Sequence, residues 1–595
     1  MTTSDTLIAE TGKNIQEKAT LIWNVANTLF GAFKPHEYGL VILPMVVIKR
    51  FHDCLLPTHQ AVLDTYKKVE HLAVKEGFLR TAAGYQFYNT SPFTFETLRA
   101  DPENINDNFR AYLNGFSDNV QDILARMNFS AQIDRMEEAG LLYQVIVDFC
   151  SDKADMGPEK VSAVDMGYIF ENLVQRFSES YNEEAGAHFT SRDIIYLMCD
   201  LLVTGDQNAF NGDGITKTVY DMTMGTSQML TCMEERLKQL DADADVTCFG
   251  QELNPFTFGI AKADMLIRGG DPDNMQFGDT LDDDKFEGYQ FDYCISNPPF
   301  GIDWKREAAA VEAEHKKGAA GRFGPGLPSK SDGQMLFLLN GLSKLKPEGR
   351  MAIIQNGSSL FTGDAGSGQS EIRRYLIEND WLDAIVQLPN DSFYNTGIAT
   401  YIWIITKDKP SAHIGKVQLI DASECYESRR KSIGNKRVDI TEACRNLIVK
   451  AYGEYRDNTY EQNLASGTSI VCKSRVLDSV ALGYNKITVE SPLLDEEGNK
   501  VLKKGKFVAD PKKRDTENVP LDEDMDAYFA REVLPYNPDA WIDKSKTKVG
   551  YEIPFTRTFY EYKEIEPASQ IARRIEEHEH ALTQKLHDLF GKDGE

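Results

Sequence analysis

The chain has 595 residues, of which 42% are hydrophobic, 10% aromatic and 26% charged. This length exceeds one compact domain and the composition excludes wholesale disorder, so two to four folded domains are expected. The formal net charge of -27 at pH 7 excludes tight nucleic-acid binding through overall charge, because Lys and Arg supply most of the attraction to phosphates. Any action on nucleic acid therefore requires a local basic cleft or a partner subunit.

Cysteine usage and the N-terminus predict a cytoplasmic protein without a metal. The nine cysteines form no C-x-x-C pair, and the histidines form no cluster at zinc-ligand spacing. Such scattered cysteines indicate reduced thiols. The N-terminal MTTSDTLIAETGKNIQEK lacks a basic n-region and an apolar h-region. The longest apolar run, LVILPMVVI from Leu40 to Ile48, is too short to span a bilayer, so no membrane segment is expected.

Residues 1–165 are predicted to form an N-terminal all-α domain. Apolar residues recur every three or four positions in LIWNVANTLF, GLVILPMVVIKRFHDCL and FRAYLNGFSDNVQDILARM, and again in MGYIFENLVQRFSESY at the domain boundary. No strand alternation of comparable strength occurs in this part of the sequence.

A second domain is predicted over residues 166–420. Its β-rich runs are KTVYDM, VTCFGQEL, FDYCIS, RMAIIQ, DAIVQLP and ATYIWIIT, and helical segments such as MLTCMEERLKQL, FTFGIAKADMLI and GQMLFLLNGLSKL lie between them. This alternation is typical of an α/β fold with a doubly wound, Rossmann-like parallel sheet.

The C-terminal region, residues 421–595, gives weaker signals. The span from Asp495 to Lys548 is charged and lacks apolar periodicity, so no fold is predicted for it. A terminal amphipathic helix is predicted because five apolar residues fall on one helical face: Ile571, Ile575, Leu582, Leu586 and Leu589. A single helix of this length is marginal in water, so we expect it to pack on its own chain or on a partner.

Three polar stretches follow predicted strands, where open α/β sheets bind ligands. In VYDMTMGTSQML, Asp221 closes a strand and Gly225 leads into a helix whose N-terminus suits an anion. In CFGQELNP, Glu252 ends the next strand, where an acid can hold the ribose hydroxyls of an adenine-nucleoside cofactor. Asp279 in QFGDTL can accept from an adenine amino group. Each stretch alone also fits an ordinary turn, helix cap or loop acid.

A fourth stretch, FDYCISNPPFG, is more specific. Pro298 and Pro299 must end the strand because proline cannot donate to a sheet ladder, and Asn297 is held out of the α region by the proline that follows it. The result is a rigid corner that presents an amide, backbone carbonyls and the ring of Phe300. A simple strand-to-loop stop would need neither the Asn nor the Phe.

Together these motifs resemble the amino-methyltransferases of DNA, most closely the modification (M) subunit of type I restriction-modification systems, over most of the chain. NPPF at 297–300 looks like the adenine-N6 catalytic motif, DMTMGTSQML like the S-adenosylmethionine loop, and GQELNP and GDTL like the ribose and adenine contacts. GAHFTSRDIIYLMC, from Gly186, resembles the segment that contacts the methionine end of the cofactor, and LPNDSFYNTGIATYIWIITK resembles the closing hairpin of the domain. The cofactor loop precedes NPPF, as in the gamma arrangement.

The resemblance implies a mechanism and a set of site residues. Asn297 and the Pro298 carbonyl would accept the two amino hydrogens of a flipped adenine, which Phe300 would stack under. The implied catalytic residues are Asn297, Pro298, Pro299 and Phe300. The implied S-adenosylmethionine-binding residues are Ala187, His188, Phe189, Thr190, Ser191, Arg192, Asp221, Gly225, Thr226, Ser227, Gln228, Glu252 and Asp279.

Two positions in the cofactor loop depart from the family pattern D-P-x-x-G-[ST]-G. Met222 replaces the proline and Ser227 replaces the second glycine, followed by an unusual Gln228. If that glycine position requires a positive φ, the Cβ of Ser227 costs on the order of 1 kcal/mol and weakens cofactor binding. HFTS also departs from the family at His188 and Ser191, where an aromatic residue and a proline are more common.

The resemblance also implies partners. Double-stranded DNA would be the substrate, a separate specificity (S) subunit would read its sequence in an assembly of two M and one S, and a restriction or motor (R) subunit can join. The loop RFGPGLPSKSDG, 322–333, either faces the DNA or is a surface loop. Two alternatives stay open: a methyltransferase for another planar nitrogen (cytosine N4, RNA, protein glutamine), and a structural DNA-clamping subunit with a weakened cofactor site.

Overall fold

The computed structural model describes residues 18, 23–162, 165–167, 169–170, 173, 190–204, 206, 210, 214–503, 505–562 and 566–590. The chain divides into two compact units, Met1–Ile553 and Pro554–Glu595. Most of the helix predicted from MGYIFENLVQRFSESY lies outside the described residues.

The N-terminal part of the larger unit is helical. Its α-helices are α1 (Tyr38–Leu55), α2 (His59–Val69), α3 (Glu76–Ala83), α4 (Phe95–Arg99), α5 (Ile105–Asn114), α6 (Asp118–Arg126), α7 (Phe129–Glu138) and α8 (Leu142–Phe149). Helix α1 contains LVILPMVVI, which is apolar on every side, and the helix is accordingly buried along nearly its whole length. The predicted all-α character of this part is thus observed.

A large sheet follows. The strands up to residue 478 are β1 (Thr216–Asp221), β2 (Asp245–Glu252), β3 (Met275–Phe277), β4 (Phe291–Ser296), β5 (Leu345–Asn356), β6 (Leu382–Gln387), β7 (Thr400–Thr406), β8 (Lys416–Asp421), β9 (Glu427–Ile433), β10 (Lys436–Asp439), β11 (Asn458–Asn463) and β12 (Ser469–Asp478). Ten of them form one sheet in the order β11-β12-β8-β6-β7-β5-β4-β1-β2-β3, and β9 and β10 form a separate hairpin.

The sheet has a topological switch point between β1 and β4. Strands β3, β2, β1, β4 and β5 are parallel neighbours, and β7 runs antiparallel between β5 and β6. From β1 the chain moves outwards to β2 and β3, then returns to β4 on the other side, which opens a crevice at the carboxyl ends of β1 and β4. The predicted doubly wound, Rossmann-like α/β fold is confirmed.

Helices connect and cover these strands. They are α9 (Arg192–Thr204), α10 (Gln228–Leu240), α11 (Pro255–Arg268), α12 (Ala308–His315), α13 (Gln334–Ser343), α14 (Ser358–Phe361), α15 (Gly368–Glu378) and α16 (Glu442–Glu454). Helix α11 joins the helical and sheet parts, because its Ile260, Leu266 and Ile267 belong to the apolar core of the N-terminal helices. Lys262 Nζ on α11 also lies 3.2 Å from Asp122 Oδ2 on α6. The N-terminal helices are thereby fixed beside the switch point.

The region without a predicted fold contains a small sheet. The strands of this sheet are β13 (Gly483–Glu490), β16 (Asp515–Pro520), β17 (Trp541–Ile542) and β18 (Lys548–Tyr551). The same part of the chain contains α17 (Met525–Glu532) and a separate hairpin of β14 (Leu502–Lys503) and β15 (Lys506–Phe507). Strand β13 is central and pairs with β16, β17 and β18, all antiparallel. Since β11 and β12 belong to the large sheet, that sheet extends past residue 420. The domain boundaries near 165 and 420 stay predictions.

The smaller unit contains α18 (Phe555–Thr558) and the terminal helix α19 (Ala568–Phe590), as predicted. The apolar face of α19 is open to solvent: Ile575 and Leu582 are each 60% exposed. None of the described helices combines the length and apolar character needed to cross a bilayer.

Candidate active site

A cavity of about 770 Å³ lies at the carboxyl ends of β1, β2 and β4. It brings together most of the residues predicted from the sequence, namely Thr190, Asp221, Gly225, Thr226, Gln228, Glu252, Asp279, Asn297 and Pro299. Five predicted residues do not line it: Ser191, Arg192, Ser227, Pro298 and Phe300. All of them except Arg192 are next in sequence to a residue that does. The predicted residues Ala187, His188 and Phe189 lie outside the described residues.

The Asn297 amide stands at the end of β4 with its two polar atoms in different environments. Its Nδ2 donates a hydrogen bond to Thr190 Oγ1 at 2.8 Å. Its Oδ1 is buried and has no hydrogen-bond partner within the described part of the chain. A buried acceptor without a donor is costly, and such atoms in native structures concentrate at functional sites. The arrangement leaves one oriented amide oxygen ready for an external N–H donor.

Phe300 is held beside this corner by a second aromatic residue. Its ring lies edge-on to that of Phe393, with 6.4 Å between the ring centroids and an interplanar angle of 85°. Phe393 is buried, whereas Phe300 is half-buried and keeps part of its ring open. The predicted stacking role of Phe300 stays a prediction.

Asp221 is a buried carboxyl group at the end of β1. Its Oδ1 accepts hydrogen bonds from Ser296 Oγ at 2.7 Å and from the Thr223 amide at 3.0 Å. Burial raises the pKa of Asp221 to about 7; the hydrogen bonds from Ser296 and Thr223 oppose this, and the nearby Glu252 adds to it. The charge inside the cavity therefore changes near neutral pH.

The turn after β1 contains two residues in the left-handed region. Gly225 has a φ of 53° and Ser227 a φ of 64°. The Gly225 amide donates to Glu252 Oε2 at 2.8 Å, and the Ser227 amide donates to the Met224 carbonyl at 2.7 Å. The turn then opens into α10. The premise that Ser227 occupies a position suited to glycine is correct, since a left-handed φ disfavours a residue with a Cβ.

Comparison with known proteins decides the family. A family model described as N-6 DNA Methylase matches residues 162–489, more than half of the chain, and one described as HsdM N-terminal domain matches residues 19–149. The chain belongs to the N-6 DNA methylase family. The family predicted from the motifs is thereby confirmed, and with it adenine-N6 methylation of DNA and S-adenosylmethionine as the methyl donor.

Several curated and solved relatives resemble this methylase. The type I restriction enzyme MjaIX methylase subunit of Methanocaldococcus jannaschii is 24% identical over 438 residues, which cover 69% of this chain and 74% of that protein. The HindI methylase subunit of Haemophilus influenzae is 27% identical over 271 residues, which cover 45% of this chain and 56% of that protein. A type I restriction-modification methyltransferase subunit from Streptococcus thermophilus has the same fold, with a TM-score of 0.60 at 22% identity, covering 78% of this chain and 96% of that one.

The N-terminal helices of the methylase contribute to the cavity, which sequence reasoning missed. Gly39, Leu40 and Leu43, in the first turns of α1, line it. So do Trp304, from the segment after the corner at 297–300, and Phe337, from α13. The sequence signal for this part is that LVILPMVVI is apolar on every side of a helix. That pattern indicates a buried helix but does not identify the residues it packs against.

Arg322 is committed to the fold of the methylase. Its guanidinium donates to the Glu314 carboxylate, to the Thr280 and Leu281 carbonyls at 2.6 and 3.1 Å, and to Asn340 Oδ1 at 3.0 Å. These acceptors occupy the N–H groups of the guanidinium. Arg322 therefore anchors the loop 322–333 beside the cavity and is not available to a phosphate.

Replacing Ser227 by glycine is expected to tighten S-adenosylmethionine binding. The substitution removes a Cβ that would crowd the methionine carboxylate at the loop. The left-handed strain of Ser227, on the order of 1 kcal/mol, is already present in the free protein, so its relief adds to stability. Isothermal titration measures the affinity. Asn128→Gly is the matched control, since Asn128 also has a positive φ, of 51°, but lies in the N-terminal helices. A weaker affinity in Ser227→Gly would instead make Ser227 a cofactor contact.

Lowering the pH below about 7 is expected to weaken binding of S-adenosylmethionine, a net cation. The raised pKa of Asp221 means that the empty cavity takes up a proton as the pH falls, while a bound cation favours the carboxylate. Affinity should therefore rise by up to about tenfold per pH unit until the pH passes about 7 and then level off. Titrations at several pH values test this, and Asp221→Asn should flatten the profile. A profile unchanged in Asp221→Asn would contradict the assignment.

Proposed function

We propose that this methylase is the modification subunit of a type I restriction-modification complex and methylates N6 of a flipped adenine in double-stranded DNA. The observation that carries the proposal is the buried Asn297 Oδ1, which has no partner among the described residues and is fixed through Thr190 at the edge of the cavity. The relatives named type I methylase subunits, one of them covered to 74% of its length, support the assignment to type I.

The catalytic corner activates a weak nucleophile. The lone pair of an adenine amino group is delocalised into the ring, so the amine must be pulled towards tetrahedral geometry. Asn297 Oδ1 and the Pro298 carbonyl accept its two hydrogens, and both are fixed in advance because Thr190 holds the amide and the prolines hold the backbone. S-adenosylmethionine supplies an activated methyl group on a sulfonium. Burial strengthens these hydrogen bonds and excludes competing water.

The cofactor would be held by acidic groups at successive strand ends. Both Glu252 oxygens accept backbone N–H groups, Oε2 from Gly225 at 2.8 Å and Oε1 from Asn254 at 2.7 Å. This fixes the carboxylate where its remaining lone pairs can accept from ribose hydroxyls. In this proposal Asp279 accepts from the adenine amino group of the cofactor, and the turn at Gly225 binds its methionine end. The carboxylates of the cavity suit the positive charge of the methyl donor.

The target adenine must leave the helix, because its N6 atom is otherwise inside the base stack. Phe300, braced by Phe393, offers the face on which the flipped base stacks. A specificity subunit reads the DNA sequence and contributes to DNA binding. This explains how a chain of net charge -27 can act on DNA.

The assembly we propose contains two copies of this chain for each specificity subunit, and a restriction subunit can join. The open apolar face of α19 is suited to such subunit contacts, since Ile571, Ile575, Leu582 and Leu586 are all exposed. In this proposal the helical domain spans 1–165, the methyltransferase domain 166–420 and the assembly region 421–595.

Sequencing of native genomic DNA tests the function. Cells that carry this gene with its neighbouring genes should contain N6-methyladenine at a fixed sequence, and deletion of this gene alone should abolish it. N4-methylcytosine in its place would establish a different target nitrogen. If the deletion removes no modified base and the purified complex does not bind S-adenosylmethionine, a structural subunit is favoured.

A further inference from the structure

The β9–β10 hairpin is positively charged, in contrast to the chain as a whole. Residues 427–439 carry five basic and two acidic side chains, in a protein of net charge -27. Arg430, Lys431 and Arg437 are exposed. Among the described residues, no carboxylate lies within salt-bridge distance of these three side chains, so they present uncompensated positive charge to solvent.

The other two basic residues hold the hairpin in place. Lys436 is buried, and its Nζ lies 2.9 Å from Asp193 Oδ2 at the start of α9 and 3.2 Å from the Ser392 carbonyl. Asp193 Oδ2 also accepts from the Ile440 amide at 2.9 Å. Arg429 pairs with Asp439 across the hairpin. The hairpin is therefore tied to the helix that follows Thr190.

The turn of the hairpin lies against the loop that carries Phe393. The Asn435 amide donates to the Tyr394 carbonyl, and the Arg437 amide donates to the Asp391 carbonyl, both at 2.9 Å. Phe393, between these acceptors, is the residue that braces Phe300. The positive side chains are thus attached, through one short loop, to the catalytic corner.

We propose that Arg430, Lys431 and Arg437 bind the phosphates of the DNA strand beside the flipped adenine. The inference rests on the proposed function and adds a DNA contact made by this chain itself. Salt screens charges over about 8–10 Å, so a chain with excess negative charge attracts a phosphate only through basic groups close to it. Exposed Arg and Lys on a rigid hairpin meet this need, since phosphate contacts fix the position of the DNA without reading its sequence.

The salt dependence of DNA binding tests the proposal in the assembled complex. We compare the wild type with Arg430→Ala/Lys431→Ala/Arg437→Ala, using a duplex that contains the methylation site. Each phosphate contact contributes about 0.9 to the slope of log affinity against log salt, so the slope should fall by about 2.7. The ratio of wild-type to variant DNA affinity should then fall about 40-fold between about 50 mM and 200 mM salt.

Lys503→Ala/Lys512→Ala/Lys513→Ala is the matched control. These residues are exposed, and the variant removes the same charge from the region of the small sheet. It should keep the wild-type slope. Calorimetry with S-adenosylmethionine checks that the hairpin variant is folded. An unchanged slope in the hairpin variant overturns the proposal, as does loss of complex assembly in that variant alone, which would assign the hairpin to an acidic protein partner. A wild-type complex that binds DNA but does not methylate it would refute the proposed function and leave the slope comparison valid.

Discussion

Asn297→Ala is expected to lower kcat for adenine-N6 methylation by about 10²–10³-fold, the usual cost of losing one preorganised polar group that acts on the transition state. The substitution removes the buried Oδ1 that has no partner in the described chain, so no intramolecular hydrogen bond of that atom is lost. The hydrogen bond from Asn297 Nδ2 to Thr190 Oγ1 is lost as well, so the free energy of unfolding should fall by about 1 kcal/mol. Single-turnover methylation of a duplex by the assembled complex, with radiolabelled methyl donor, measures the effect. Wild-type rates in Asn297→Ala would remove the corner from the mechanism.

Thr190 provides the control, because its hydroxyl touches the same amide. Thr190→Val keeps the shape but removes the acceptor for Asn297 Nδ2, so kcat should fall less than in Asn297→Ala, and Thr190→Ser should restore it. In the Asn297→Ala background, Thr190→Val should cost nothing more, since the two residues act as a unit. A fall in cofactor affinity with kcat unchanged would instead make Thr190 the cofactor contact predicted from its sequence segment.

Much of the fold and of the candidate site could be predicted because the signals are local. Strand runs such as FDYCIS alternate with amphipathic helices, and the covalent stiffness of Pro298 and Pro299 defines the corner from sequence alone. The left-handed conformation of Ser227 could be anticipated because the family pattern places glycine there. Each inference depends on residues within a few positions of one another.

What could not be predicted depends on tertiary contacts. Strand β3 has three residues, too few to show alternation, and the strands around β13 are polar on their exposed faces. The approach of α1 to the cavity is set by packing across α11, which no periodicity encodes. The hairpin β9–β10 shows clustered charge in the sequence, but its relation to Phe300 appears only through the loop at Asp391–Tyr394.

The buried ion pair of α1 links the stability of the helical part to the site. Lys49 and Asp53 are 7% and 8% exposed, and Lys49 Nζ lies 2.6 Å from Asp53 Oδ2. The same Oδ2 accepts from the Met156 amide at 2.8 Å, which ties α1 to the segment that follows α8. Burial raises the pKa of Asp53, and the Lys49 ammonium opposes that rise. The first turns of this helix line the cavity through Leu40 and Leu43.

Asp53→Ala is expected to lower the free energy of unfolding of the helical part by about 3–5 kcal/mol, because it leaves the Lys49 ammonium buried without its partner. Urea unfolding of the full chain, followed by circular dichroism, should show the corresponding transition about 1–2 M earlier. Glu96→Ala, which breaks the exposed pair with Arg99, should cost less than about 1 kcal/mol. Lys49→Met/Asp53→Asn removes both charges but keeps an acceptor for Met156, so it should stay within about 1 kcal/mol of the wild type. If the double variant is as unstable as Asp53→Ala, the unpaired buried charge of Lys49 is not the cause of the loss of stability.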